Sequence, residues 1–520
     1  MSLVVLFDLA AATDAQGTMT AIRLATGAGY NHPSAPGLYR GRVMASLDLT
    51  RTLAGDGAVA RLRYGDVVWQ NAGEHDAALG WAFEGHEAVI RIGDDAGEWS
   101  GFEIVARAVQ GTLKATLDTL ILPLFDILDR LDVPLNANRF AGDNALPDGL
   151  EGTNEDIGGQ TKPLPAGRAF NVTPIYVNTT RLIWQFADDA GVSDIEAAVG
   201  IDDGVFDGAV ALERGADYGS VAAMAATPPA AGLYRVYRGA EGSFIRLGSI
   251  PVNEITCTVV YGAAGERTAA QTIRRYALRA PWMRGSLVDA GDLAALDAAQ
   301  PNPVGYWPAS GETVLAAIGR VAAGCGARVG FDRLGSLRMR RWDAPSGAPA
   351  ATFRFFEPGT AARASDFAIL SLLPASSAEV DAPASEIELR WYPNWTTQRV
   401  SLDAAVPEAR RAAVAGEWRR ATVPAAPAAR YPAARPLAID SYLMAGGDDE
   451  AARLAALRSA GHAPWRLVTD LTPRLIGAVD TFDVVEVILD RFGFAAGALM
   501  RVEEIRYRWA TMTAELLLWR

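Results

Sequence analysis

Apolar residues fall in short runs over the first 120 positions, roughly one run every ten residues, and most runs end in a turn carrying Gly or Asp. Runs at 3–9, 19–25, 43–49, 59–64, 66–70, 80–83, 88–92, 102–108 and 114–120 predict strands. The turn signals include GDG at 55–57 and GDDAG at 93–97, the second being the clearest hairpin loop. Short strands at this spacing predict a sandwich or barrel. The period then changes. In PLFDILDRL, 123–131, Leu124, Leu128 and Leu131 recur at helical spacing, which predicts a short helix or an extended arm. Residues 136–162 are rich in Gly, Asn and Asp and read as a loop.

A second β section follows over 163–265. Its strands are expected at 170–177 (interrupted by Pro174), 182–186 and 209–212, in a hairpin of 232–237 with 242–248, and at the β-branched run ITCTVVY, 255–261. Residues 266–345 change character. Helices are predicted over 267–278, 291–299 and 314–323, then a hairpin of 325–331 with 336–341. The remainder returns to strands at 353–356, 387–392, 399–402, 465–471, 484–489, 500–509 and 514–519, so the last residues are expected inside a sheet. One helix is predicted at 448–458, opened by acidic residues as the helix dipole favours. The Pro/Ala-rich stretch 422–437 reads as an exposed extended link. The expected organisation is mainly β with a small α+β insert. It comprises an N-terminal β domain (1–120), a helix or arm with a polar loop (121–162), a second β domain (163–265), a small α+β module (266–345) and a C-terminal β-rich domain (346–520).

The stretch GQTKPLPAGRAFNVTPIYV, 159–177, joins the first β section to the second. Pro163 and Pro165 exclude a helix interior and push the residues before them toward extended geometry. Gly167 permits a backbone conformation or close approach that other residues resist. The stretch reads as a rigid extended connector.

Composition narrows the class. A chain of 520 residues exceeds one ordinary core, and three or four domains are the natural division. With 50% apolar and 21% charged residues it is globular. The net charge of −13 and the lack of a long Lys/Arg run argue against sequence-independent nucleic-acid binding. Two readings of that charge fit: solubility, or an acidic lumen that repels DNA and lets it slide. Cys257 and Cys325 lack metal spacing and read as small buried hydrophobes. The first residues lack a basic n-region and do not read as a signal peptide. No apolar run reaches the ~20 residues that span a bilayer.

Catalytic constellations are not evident. His32, His75, His86 and His462 are scattered, without the spacing of a helical zinc site. Neither a GxSxG elbow nor a Walker A sequence occurs. Asp129 with Asp132, and Asp188 with Asp189, supply carboxylates whose convergence in a cleft cannot be read from spacing. GDDAG, 93–97, and GIDDG, 200–204, suit either calcium or turn chemistry. Among 13 tryptophans, Trp391 in RWYPNWT, 390–396, fits a carbohydrate platform, an interface anchor or core. No catalytic, cofactor or metal residue is assigned.

Several separated segments together resemble a known family. The connector (Lys162-Pro163, a short spacer, Gly167-Arg168, then an apolar strand) is followed by GLYR at 232–235, FIRLGS at 244–249 and PVNEIT at 251–256. VGYW, 304–307, FDRLG, 331–335, YPNWTTQ, 392–398, DVV, 483–485, RFGF, 491–494, and the terminal LLLW, 516–519, continue the series. In this order they resemble the tail hub (tail tip or baseplate hub) proteins of long-tailed bacteriophages, related prophages and gene transfer agents. The likeness runs from about residue 160 to the end. Asn253 stands where the family pattern has Gly, and residues 1–120 carry no family motif.

The resemblance implies a non-enzymatic virion protein that forms a homotrimer and closes the tail tube. In such proteins two tube-like β domains per subunit make a pseudo-six-fold ring. Implied partners are the distal tail ring protein, a peptidase-like tip protein, a central fibre or spike, and the tape measure protein, with DNA passing transiently and without specific binding. The implied location is the distal end of the virion tail, after synthesis in the bacterial host cytoplasm. The β domains, tryptophans and acidic pairs also fit a carbohydrate-active enzyme or sugar-binding module, which would show paired acids in one cleft. A receptor-binding tail fibre would show periodic repeats, and none is found.

Overall fold

The computed structural model describes residues 3–44, 49–53, 59, 61–63, 65–188, 199–356, 365–375, 383–399, 402, 405–427, 429–459 and 464–520. Strands hold 42% of the described residues and helices 17%, in several sheets, so the chain is mainly β and multidomain as its patterning predicts.

Leu3–Ala12 is the central strand of the N-terminal sheet, antiparallel to Met19–Ala25 on one side and to Glu87–Asp94 on the other. The ladder continues through Glu103–Gln110, Thr119–Phe125 and Asp66–Gln70. Residues 39–44 close it into a barrel: Tyr39–Gly41 runs parallel to Met19–Ala25, and Val43 bridges Trp69. Val5, Phe7 and Leu9 enter the core, while Val4 and Leu6 are covered outside by Tyr30, Tyr39 and Phe102. Burial on both faces explains why this strand reads as a continuous apolar run rather than an alternation.

The C-terminal barrel is built in the same way. Ala351–Arg354, Val484–Leu489, Phe494–Arg508, Thr513–Trp519 and Trp465–Asp470 are successive neighbours. Residues 367–374 seal it, pairing with Ala351–Arg354 through Phe367–Ala368 and with Trp465–Asp470 through Ser371–Pro374. The terminal strand is buried within this sheet, as expected.

The two barrels share one core, which runs from Phe7, Trp69 and Val105 to Ile476, Val487 and Leu516. Leu49–Thr52 also leaves the N-terminal barrel and adds itself antiparallel to Phe494–Arg508. At this seam the Arg51 guanidinium bonds both oxygens of Asp480 at 2.7 and 2.9 Å, and both side chains are nearly enclosed. Asp480 also accepts the N–H groups of Arg333 and Thr481, at 2.9 and 2.7 Å. Burial alone would raise the Asp480 carboxyl. Arg51 and the N–H donors more than offset it and hold the group below the ordinary range.

Neighbouring Asp332 and Asp483 are shifted the other way, chiefly by burial. For such a group the native state takes the proton more readily than the unfolded chain. Its contribution favours folding below the ordinary Asp range, and is lost as pH rises through the raised folded value. Asp480 has the opposite sign: its contribution is present above the ordinary range and is lost as pH falls through the depressed value. Asp483→Asn is therefore expected to flatten the fall in stability above about pH 4, measured by urea unfolding across a pH series. An unchanged profile would remove burial of Asp483 as its cause.

Between the barrels in sequence lies a sandwich of two five-stranded sheets. One contains Val199–Asp207, Ile255–Tyr261, Ala166–Val172 and Gly305–Tyr306; the other contains Ile175–Asn178, Ile183–Ala187, Gly242–Leu247 and Leu233–Gly239. They pack over Phe186, Val205, Val236, Ile245 and Val259. The helices Ala269–Ala277, Ala290–Ala299 and Val314–Gly324 each open on a side-chain cap, from Thr268, Asp289 and Thr313. They stand with the hairpin of Ala327–Phe331 and Leu337–Arg341. A three-stranded sheet centred on Ala384–Trp391 is covered by the helix Gly447–Arg458.

Several local expectations change. Residues 80–83 form no strand; a 3-10 turn, Asp76–Gly80, leads to a single bridge from Ala82 to Ala12. The run 114–120 is split by a tight turn into Lys114–Ala115 and Thr119–Phe125, with Thr116 bonding to Thr119 across it. Pro123 belongs to that strand, so the helical spacing of 123–131 is realised only as the 3-10 turn Ile127–Leu131. The strand expected at 170–177 divides at Pro174 between the two sheets of the sandwich. Both ends of the Pro/Ala-rich stretch are strands, Arg419–Pro424 and Arg435–Asp440, because Ala384–Trp391 offers each an edge to pair with. Of the strand expected at 43–49, residues 45–48 lie outside the described residues, as do 400 and 401 of that at 399–402.

Candidate functional site

The connector ends in the strand Ala166–Val172, whose sequence dictates unusually close packing. Gly167 has φ +63° and pairs in register with Gly305. A Cβ on Gly167 would lie 1.9 Å from the carbonyl oxygen of Val304, and one on Gly305 would lie 2.0 Å from that of Arg168. Only a hydrogen at both positions lets these backbones approach so closely. The glycines of the connector and of VGYW are thus two halves of one contact.

The following side chains bind a third segment. Arg168 donates from Nε to Asp202 at 2.7 Å and from Nη1 to the Tyr392 hydroxyl at 3.0 Å, and pairs through Nη2 with Asp203. Asn171 sits at a bulge with φ +53°, a conformation Asn tolerates better than most residues. Its amide donates to Asn394 Oδ1 at 2.9 Å and to the Thr396 carbonyl at 2.5 Å, while its oxygen accepts from Arg410. Asn394 in turn donates to the carbonyls of Val414 and Gly416. Phe170 packs against Tyr392 with ring centroids 5.2 Å apart. Arg168→Ala is expected to cost about 1–2 kcal/mol, because both aspartates are half exposed and screened. Its clearer signature is faster hydrogen exchange across residues 392–398.

A cleft of about 320 Å³ flanks this junction, between residues 160–164 of the connector and 306–312. Tyr306 donates to Glu312 Oε1 at 2.6 Å, and Arg320 reaches the same oxygen at 2.8 Å. Burial, then the Glu312 charge, holds the Tyr306 phenol well above its ordinary range. Trp395 and Tyr442 stack at 5.9 Å with planes 7° apart, and Tyr306 meets both edge-on. Among the described residues Trp395 Nε1 is buried without a hydrogen-bond partner. Trp395 also lines a second cleft, of about 440 Å³, with Arg399, Glu417 and Trp418.

The residues weighed for chemistry do not assemble into a centre. Asp202 and Asp203 of GIDDG are occupied by Arg168. Asp188 accepts from Asn136 and Asn138, and Asp189 lies outside the described residues. Asp129 and Asp132 are exposed. In GDDAG, Asp94 accepts the Ala96 N–H in ordinary turn fashion. His32 bonds Ser34 and His75 bonds Trp69, while His462 lies outside the described residues. Among the described residues no group of three or more His, Cys, Asp and Glu stands at metal-binding distance. Cys257 and Cys325 are fully buried, and burial pushes both thiols up, Cys325 to about 12. Trp391 is half-buried, with its ring against Gly447 of the covering helix. Sequence reasoning missed Trp395 and Tyr442 as partners; they are 47 positions apart, and no local signal joins them.

No family model and no curated protein matches the chain. Among solved structures it is similar to a tail protein from Neisseria meningitidis, at 11% identity and TM-score 0.43 over 100% of this chain and 97% of that one. It is also similar to a prophage tail protein from Shewanella oneidensis, at 10% identity and TM-score 0.37 over 99% and 98%. A chain of a native gene transfer agent virion aligns at 14% identity and TM-score 0.37 over 76% and 92%. At TM-scores below 0.5 these likenesses are too distant to assign this chain a role.

Proposed function

We propose that this chain is a non-enzymatic structural protein of a long-tailed phage-type particle, the homotrimeric hub that closes the tail tube at its distal end. The observation that carries this reading is the convergence of GRAFNV, VGYW and YPNWT on one junction, three segments that each resemble part of a tail hub. Two closed barrels sharing one core support it further. Three copies would place six barrels around an axis, matching a hexameric tail ring to a three-fold tip, through heterologous contacts whose rotation closes. Ile250 and Val252 stand 79% and 88% exposed on a loop that the Asp207 carboxylate braces by accepting two N–H groups. Braced apolar side chains of this kind suit burial against another chain.

In this reading the partners are the distal tail ring, a peptidase-like tip protein, a central fibre or spike and the tape measure protein. The virion is the site of action, and the bacterial host cytoplasm the site of synthesis. The net charge of −13 disfavours retention of passing DNA. Light scattering over a concentration series is expected to give three times the 55.2 kDa chain mass, with a three-fold ring in electron micrographs. A monomer that cleaves a polysaccharide would overturn the reading.

A further inference from the structure

We propose that the two clefts sharing Trp395 form one binding groove for a neutral oligosaccharide. The first cleft, at about 320 Å³, falls within the ~300–1,000 Å³ common for small-ligand sites, and the second, at about 440 Å³, is lined by the same indole. Two clefts on one aromatic wall suit a ligand of more than one ring. Trp395 stacks with Tyr442, and Tyr442 meets Trp418 at 5.8 Å, so contacting aromatic side chains run from the lining of the first cleft to that of the second. A pyranose has an apolar C–H face and a rim of oxygens, so it needs flat apolar surface with hydrogen-bond donors at the edge.

The donors are present. Thr161 Oγ1 accepts from the Gly311 N–H and Ser310 Oγ from the Thr161 N–H, each at 3.1 Å, which leaves both hydroxyl protons to donate. The charges cancel locally. Lys162 is held by Glu151 at 2.7 Å and Arg320 by Glu312 at 2.8 Å, while Arg399 and Glu417 give the second cleft one charge of each sign. Among the described residues a phosphate or sulfate would find no free cation in the first cleft, whereas a neutral polyol matches it. Residues 160–164 and 306–310 wall the first cleft on two sides, which suits a saccharide unit better than a polyproline strand passing through. This inference does not depend on the hub reading, and either can fail without the other.

The test uses the full chain, with calorimetry and tryptophan fluorescence against maltohexaose, cellohexaose, chitohexaose, a polyproline hexapeptide and a heparin hexasaccharide. At least one neutral hexasaccharide is expected to bind and shift the fluorescence. Trp395→Phe, which keeps a ring but shrinks the aromatic surface that both clefts share, is expected to weaken that binding roughly 3- to 10-fold. Ala309→Tyr, at an exposed position on the cleft wall whose side chain makes no hydrogen bond, is expected to abolish it without moving the unfolding midpoint. The inference is overturned by no neutral sugar binding at millimolar concentration, by binding that neither variant changes, or by a response confined to the peptide or to heparin.

Discussion

Arg51→Met is expected to destabilise the chain by about 3–5 kcal/mol, because it strips the counter-charge from a carboxylate that cannot regain water. Asp480 is buried at the seam where the strand Leu49–Thr52 crosses to the C-terminal sheet, and its ion pair is nearly enclosed. Ion pairs at a protein surface are worth far less, about 0–1 kcal/mol, so the size of the loss itself reports the enclosure. Urea unfolding followed by tryptophan fluorescence reads it. The double variant Arg51→Met with Asp480→Asn is expected to recover part of the loss. Arg333 and Thr481 donate to different oxygens of Asp480, so the one Asn oxygen keeps one of these bonds and its NH2 group faces the other donor, but no uncompensated charge remains. A single-variant loss below about 1 kcal/mol, or a double variant no better than the single, would mean that the seam is wet and the barrels do not depend on it.

Gly167→Ala is the second large effect, expected at roughly 2–5 kcal/mol. The positive φ of +63° costs an alanine about 1–2 kcal/mol, and overpacking a tight site adds about 1–3 kcal/mol. The clash is with backbone, the Val304 carbonyl oxygen at 1.9 Å, so no side-chain rotation relieves it. Gly159, eight residues earlier in the same connector, supplies the control. Its φ is +78°, but nothing stands within 4 Å of a Cβ built there, so Gly159→Ala is expected to cost only about 1–2 kcal/mol. Comparable losses for the two variants would show that backbone conformation alone, and not the contact with Gly305, sets the requirement. Hydrogen exchange across Ala166–Val172 localises the effect.

The strands Met19–Ala25, Asp66–Gln70 and Ile255–Tyr261 begin and end where the apolar runs begin and end. Each is bounded by local turn chemistry, and each is long enough for its pattern to decide its geometry. The three helices of the α+β module were legible for the same reason, since their caps are adjacent in sequence to the turns they start. Shorter runs were not. The run at 80–83 holds one bridge rather than a ladder, and 114–120 folds back on itself at Thr116. In both cases the neighbouring strand, not the run, decides where pairing stops.

The candidate site divides in the same way. That Gly167 needs a special backbone, and that the prolines before it stiffen the connector, follow from residue chemistry alone. The pairing of Gly167 with Gly305, the use of Arg168 to hold Asp202, Asp203 and Tyr392, and the meeting of Trp395 with Tyr442 do not. Nor does the shared core of the two barrels, or the crossing of Leu49–Thr52 to the C-terminal sheet. Local patterning determined many of the elements and their boundaries, because hydrogen-bond periodicity and turn chemistry act over a few residues, but it did not mark the strand Val199–Asp207 or the helix Glu408–Ala415. Only the tertiary structure decided which distant elements share a core and a cleft, because those contacts depend on ring closure and burial between segments as far apart in sequence as Arg51 and Asp480, and no local period records them.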